Sequence, residues 1–522
     1  MLFNSYEFVF AFLPITLLGF FVLAKVGRDF ALTWLLAASL VFYGWGHWSF
    51  LPVIVLSVVC NFLFAHLLAR YRRTPLLALG VGLNLAALGW YKYAGFFAAN
   101  ANALLGTSVD VGNVVLPLGI SFFTFQQITY LIETFRSGTP EASLVREGLF
   151  VSFFPHLIAG PIVHPREMLP QFARTRFALR YNDLAIGLAI FAIGLLKKAV
   201  LADGIAHYAS PVFTAAESGE SLDFFRAWGG ALAYTMQLYF DFSAYSDMAV
   251  GIARMFGIRL PMNFNSPYKA TNIIDFWRRW HITLSRFLRN YVYFALGGNR
   301  HGNVRRYVNL MGTMLIGGLW HGAGWTFVVW GGLHGLYLVV NHFWMVLRHR
   351  AGAGAQKSTW LGRRCAHLVT LLAVIFGWVF FRATSFDGAI RILEGMAGVN
   401  GITLPEALIH RFHDFAGLLT DAGIRFTPGG GGEFLFTWIW LAALSVIVFF
   451  APNTYELMRR YQPVLIRTEG VPTVGAALPL SAGWIEKIAW RMSAGWAVAT
   501  GLVLAAGILA LPRVSEFIYW QF

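Results

Sequence analysis

The chain has 522 residues, 57% of them in the set AVILMFWYC and only 12% charged, against about 25% charged in soluble proteins. With 40 Lys+Arg against 25 Asp+Glu it is also strongly basic, at a formal net charge of +15. These figures exclude a soluble enzyme, a disordered chain, a coiled coil and collagen, and point to an integral membrane protein whose loop charges report its orientation. No soluble basic domain is visible, so nucleic acid is a poor explanation of the excess. The two cysteines, Cys60 inside an apolar run and Cys365 at the edge of one, suit neither a disulfide framework nor a CxxC metal site and read as packing residues.

Met1 to Glu7 lacks a positive n-region, and the apolar stretch after it is followed by Lys25 rather than a cleavage site, so it is expected to be a retained first span. A span takes about 20 apolar residues, and a lipid-embedded backbone must satisfy its own hydrogen bonds, so long apolar runs here mean helices. Spans are predicted over 8–24, 30–46, 51–69, 76–91, 115–133, 184–202, 228–250, 308–322, 326–347, 366–382, 434–451 and 495–511. Leu149 to Val163 is short and holds Pro155, Gly160 and Pro161, which predicts a re-entrant or interfacial segment. The segment Asp203 to Arg226, with Glu217, Glu220 and Asp223, reads as an outer loop, as does the Gly-rich stretch Gly429 to Gly432. No internal repeat is evident, which counts against a typical secondary transporter.

Twelve crossings put both termini on one side. Of the 40 basic residues, 31 fall in segments following odd-numbered spans, so those segments are expected in the cytoplasm and both termini outside it.

Polar residues inside apolar sequence mark candidate chemistry. His156, in Phe154-Pro-His-Leu-Ile-Ala-Gly-Pro161, reads as part of a cavity wall at the re-entrant turn. Asp241 and Asp247 share the seventh span but are six positions apart, too poorly aligned on a helix for an acid/base dyad; a supporting network with Ser243, Tyr245 and the histidines is expected. Phe276, Trp277, Trp280, Leu284, Phe287, Leu288 and Tyr291 recur at three- and four-residue spacing, which predicts an amphipathic helix at the inner membrane surface. His281 borders its buried face and is either functional or an interfacial histidine. Arg278, Arg279, Arg286 and Arg289 could bind a phosphate-bearing donor or anionic lipid headgroups.

His321 and His334 lie in a Gly- and Trp-rich apolar segment, residues 317–335. Histidine is the usual general base near neutral pH, and the glycines around His321 allow close backbone approach or a break in the helix that opens a water-accessible cavity; the alternative for both histidines is helix packing. His410-Arg-Phe-His-Asp414 resembles a metal cluster only superficially, and no metal site is expected. The tail, 513–522, reads as an aromatic interface anchor.

The motifs FWRRWHITLSRFLRNYVY, GGLWHGAGWTFVVWGGLHG, YFDFSAYSDMAVG and FPHLIAGPI together resemble the membrane-bound O-acyltransferase superfamily, in particular the integral membrane subunits of bacterial alginate O-acetylation. The similarity runs from the N-terminus to about residue 382, is weak from 383 to 490, and resumes at the tail. It implies one all-α polytopic membrane domain over 1–522, of about twelve transmembrane helices plus re-entrant or interfacial helices around a funnel. Its motif core would be 115–347 and its variable outer loop 383–433.

By position, the resemblance makes His321 the catalytic histidine and His281 the second histidine, towards the cytoplasmic opening. Phe517-Ile-Tyr-Trp-Gln-Phe522 is similar to the aromatic end of a small membrane peptide of teichoic acid D-alanylation, which implies an acyl-relay role for Tyr519; Trp520 replaces the more usual Phe.

The implied activity is acetyl transfer, without a bound cofactor, from acetyl-CoA or an acyl-carrier thioester across the bacterial inner membrane to an exopolysaccharide such as alginate. Extracytoplasmic acetyltransferase or relay subunits would be partners. Acylation of peptidoglycan, cellulose or a teichoic acid by the same chemistry, export of a polysaccharide precursor, and a scaffold in an export complex are the competing expectations.

Overall fold

The computed structural model describes residues 1–112, 114–350, 359–409, 416–465 and 482–511. The described residues are mostly helical. In order come α1 (Leu13–Val26), α2 (Arg28–Gly44), α3 (Leu51–Tyr71), α4 (Thr74–Leu88), α5 (Ala94–Leu105), α6 (Ile120–Ser137), α7 (Leu144–Ser152), α8 (Phe154–Leu157) and α9 (Pro165–Phe172). These are followed by α10 (Tyr181–Leu196), α11 (Asp203–Glu217), α12 (Phe224–Met255), α13 (Ile273–Arg279), α14 (Ile282–Phe287), α15 (Gly302–His321), α16 (Trp325–Arg350), α17 (Trp360–Arg382) and α18 (Phe386–Met396). Two short parallel strands, Ile402–Pro405 and Ile424–Thr427, precede helices Gly431–Phe450 and Ala494–Ala510.

Every predicted apolar run carries a helix, with shifted ends. The run from 115 becomes helical only at Ile120, because Pro117 and the left-handed Gly119 (φ +69°) precede it. Among the described residues, six helical stretches are long and apolar enough to cross a membrane: Glu7–Val26, Trp48–Tyr71, Thr74–Leu105, Tyr181–Glu217, Trp360–Arg382 and Gly431–Phe450. Helix α12 is not among these; it carries Asp241, Asp247 and Arg254, yet nearly all of it is buried. Other helices shield it from lipid, so it need not be apolar itself. It packs against α10 through glycines: a Cβ at Gly187 would lie 2.5 Å from the Gly251 carbonyl oxygen.

Two expectations are revised. Asp203 to Arg226 is not a loop up to Glu217; α11 buries Ile205, Ala209, Val212, Phe213 and Ala216, and Glu217 accepts from the Thr384 N–H (2.7 Å) and the Ser385 hydroxyl (2.6 Å) at the start of α18. Its acidic end hid the apolar period. Cys60 and Cys365 sit on exposed helix faces rather than in the core.

Among the described residues, four π-helical turns interrupt the helices, at Glu7–Phe12, Gly89–Tyr93, Lys197–Ala202 and Leu288–Tyr293. Such turns are frequent at functional sites, and three of these carry the polar side chains described below.

Candidate active site

The Gly-rich segment is a tight antiparallel pair. A Cβ at Gly331 would strike the Met314 carbonyl oxygen, one at Gly318 the Phe327 carbonyl oxygen, and one at Gly335 would come within 2.8 Å of Met311 Sδ. Only small residues let α15 and α16 approach this closely. The crossing holds His321, the last residue of α15, inside the bundle at 3% exposure. Its ring lies 4.9 Å from Trp320, 5.0 Å from Trp330 and 5.1 Å from Phe381, centroid to centroid.

The Arg-rich segment departs from the predicted surface helix. It is two short helices, α13 and α14, broken at His281, whose φ of +41° is left-handed. A non-glycine residue there costs roughly 1–2 kcal/mol and persists only where its surroundings enforce it. Asn263 enforces it here: its carbonyl accepts from the Ile282 N–H (2.9 Å), and its Oδ1 accepts from the Thr283 hydroxyl (2.8 Å) and lies 3.1 Å from His281 Nδ1.

The break lets bulky rings face two ways. Trp280 packs on Trp378 of α17 (4.8 Å) and Trp277 on His334 (5.2 Å), while Phe287 stacks on Phe125 of α6 (3.9 Å). The segment is therefore threaded through the bundle, and His281 is fully buried. Its ring comes within 6.4 Å of His321.

The four arginines divide. Arg279 is buried and paired with Asp275 (2.9 Å), and Arg286 holds Glu167 through two bonds of 2.7 and 2.9 Å. Arg278 and Arg289 are exposed. A cleft of about 410 Å³ nearby is lined instead by Arg136, Arg166, Arg300, His164, Glu133 and Tyr291, with Asn290 and Phe294. Tyr291 donates to Glu133 (3.2 Å) and lies 3.3 Å from His164 Nδ1. From Tyr291 a line of ring contacts runs through Phe287 (5.1 Å), Phe125 (3.9 Å) and Trp320 (5.2 Å) to His321 (4.9 Å).

The residues expected to form one supporting network have four separate sets of neighbours. Asp241 pairs with Lys198 (2.6 Å), which also holds Asp203 (2.9 Å); Asp247 pairs with Lys197 (2.8 Å) and accepts from the Thr454 hydroxyl (2.6 Å). His156 is fully buried with its Nδ1 3.0 Å from the Gln126 amide nitrogen. His334 sits among Trp277, Trp330 and Trp378 with no hydrogen bond to either ring nitrogen among the described residues.

Sequence reasoning overlooked Asn263, the cleft arginines and the two lysines; Lys197-Lys198 inside an apolar span was the available signal for the last. Tyr519, the tail 513–522 and His410 to Asp414 lie outside the described residues.

Residues 103–381 match the model of the MBOAT, membrane-bound O-acyltransferase, family. The chain is 41% identical over 520 residues to a protein of Helicobacter pylori named "Peptidoglycan O-acetyltransferase", covering 93% of this chain and 95% of that one. It is 41% identical over 419 residues to a "Probable alginate O-acetylase AlgI" of Azotobacter vinelandii, covering 78% and 80%. A "Teichoic acid D-alanyltransferase" of Bacillus subtilis is 29% identical over 286 residues, covering 53% of this chain and 70% of that one.

Proposed function

The chain belongs to the membrane-bound O-acyltransferase family, and from that premise we propose that it carries acetyl groups from a cytoplasmic thioester across the bacterial inner membrane for O-acetylation of an envelope polysaccharide. It is a multi-pass membrane O-acetyltransferase; the donor, the route and the acceptor are the proposal.

The observation that carries it is the meeting of His281 and His321 inside the bundle, at the end of a ring path from a basic cleft. In the reading offered, acetyl-CoA or an acyl carrier docks at the cleft, whose arginines attract its phosphates. His321 removes the proton of an acceptor hydroxyl, whose oxygen attacks the thioester carbonyl. The tetrahedral intermediate then collapses, the C–S bond breaks, and the imidazolium returns its proton to the departing sulfur. His281, held by Asn263, stands beside it as the second histidine. The acceptor hydroxyl is Tyr519, as an acyl relay, or one on an extracytoplasmic partner subunit that then acetylates the polymer.

With twelve crossings and the basic segments in the cytoplasm, both termini are periplasmic, and donor and acceptor approach from opposite faces.

Alginate or an alginate-like polymer is the first reading of the acceptor. Peptidoglycan is the second, favoured by a specific observation: the relative named for it covers 93% of this chain, against 78% for the alginate relative. Mass spectrometry of ester-linked acetate on both polymers, in a deletion strain and after complementation, decides between them. Loss of acetate from neither polymer contradicts both readings.

A further inference from the structure

Lys92 lies inside the apolar stretch Thr74–Leu105, where an ammonium is costly and marks function by default. The π-helical turn Gly89–Tyr93 brings Lys92 and Tyr93 together against the end of α15. There Lys92 Nζ donates to the carbonyls of Trp320 (2.6 Å) and His321 (3.2 Å) and lies 3.4 Å from the Ser121 hydroxyl. Tyr93 Oη donates to the Leu319 carbonyl (2.8 Å).

A helix leaves its last four carbonyls without partners in the helix. For α15 these belong to Gly318, Leu319, Trp320 and His321, and each has an acceptor role here. The Gly322 N–H reaches Gly318 (3.4 Å), Tyr93 takes Leu319, and Lys92 takes the other two. Among the described residues no carboxylate pairs with Lys92; its amine stands at the negative end of the α15 dipole.

We propose that Lys92 and Tyr93 are positioning residues for acyl transfer: they lock the final turn of α15 and so aim the His321 imidazole at the reacting hydroxyl. The inference rests on the reading of His321 as general base. A misplacement of about 1 Å at such a group can cost ~10²-fold in rate.

The test uses the full-length protein in proteoliposomes with radiolabelled acetyl-CoA. Lys92→Met is expected to lower kcat by ~10²-fold with donor KM within about twofold and the detergent melting transition retained. Lys92→Arg, which keeps the charge and the donors, should restore a large part of kcat, and Tyr93→Phe should lower it by a smaller factor without unfolding. Carbethoxylation of His321 by diethylpyrocarbonate, read by peptide mass spectrometry, should quicken in Lys92→Met while exposed His47 reacts as before.

The proposal is overturned if Tyr93→Phe and Lys92→Met leave kcat and His321 carbethoxylation unchanged, or if Lys92→Met acts only by unfolding while Tyr93→Phe has no effect. A wild-type protein that transfers no acetyl group overturns the acyl-transfer reading, and the carbethoxylation rates still decide the positioning.

Discussion

The rings of His281 and His321, forty positions apart in sequence, lie 6.4 Å from each other with their planes inclined at 62°. One terminates α15 and the other is the hinge between α13 and α14, so neither sits on a regular helix face. Their approach depends on Asn263, which fixes the left-handed backbone at His281. Asn263→Ala is expected to lower kcat for acetyl transfer by ~10²-fold while leaving donor KM nearly unchanged, because it displaces a group rather than removing a binding contact. Steady-state kinetics with purified protein check this.

Asp241 and Lys198 test a different link, between buried charge and stability. Both are nearly fully buried. Removing one partner of such a pair costs about 3–5 kcal/mol, whereas replacing both can be close to neutral. Asp241→Asn should therefore sharply lower the unfolding temperature in detergent, softened by Asp203, which still faces Lys198. Adding Lys198→Met should recover much of the loss, and a double variant no more stable than the single would contradict the pairing argument.

Gly331 tests the crossing that holds His321. Gly331→Ala pushes a methyl group into the Met314 carbonyl, an overpacking expected to cost about 1–3 kcal/mol. Gly331→Val should prevent assembly of the pair. Size-exclusion profiles and thermal unfolding read both, and Gly332→Ala is the control, since a Cβ there makes only an ordinary contact at 3.6 Å.

The cleft arginines should behave unlike Arg286. Arg300→Ala is expected to raise donor KM several-fold with kcat unchanged, and to weaken the salt dependence of that KM, whereas Arg166 also pairs with Glu133. Arg286→Ala should act on stability instead, since it removes a two-bond ion pair from Glu167, whose carboxylate also accepts from the His164 N–H (3.2 Å) at the start of α9.

Much of this was legible from residue patterns. Apolar runs located the helices, and the small residues around His321 were compatible with either a close crossing or a helix break, of which the structure has the crossing. What escaped was tertiary. The aromatic period of 276–291 revealed burial, but nothing local announces that a histidine will adopt φ +41°, because that conformation is imposed by Asn263, eighteen positions away. Lys197 and Lys198 were visible as cations in an apolar span, yet their acidic partners at Asp247 and Asp241 are some fifty and forty positions on and belong to another helix. The arginine set was read from clustering in sequence, whereas the cleft gathers Arg136, Arg166 and Arg300 from three separate segments.

The central claim is that His321 moves the proton that makes acetyl transfer possible. Its most direct test is transfer of label from radiolabelled acetyl-CoA in proteoliposomes containing wild-type or His321→Ala protein, with mass spectrometry of the C-terminal peptide bearing Tyr519 as the readout. The account predicts acetylated Tyr519, or label passed to an added extracytoplasmic partner, in wild type and neither in His321→Ala at equal folded protein. Equal labelling by the two proteins would contradict it.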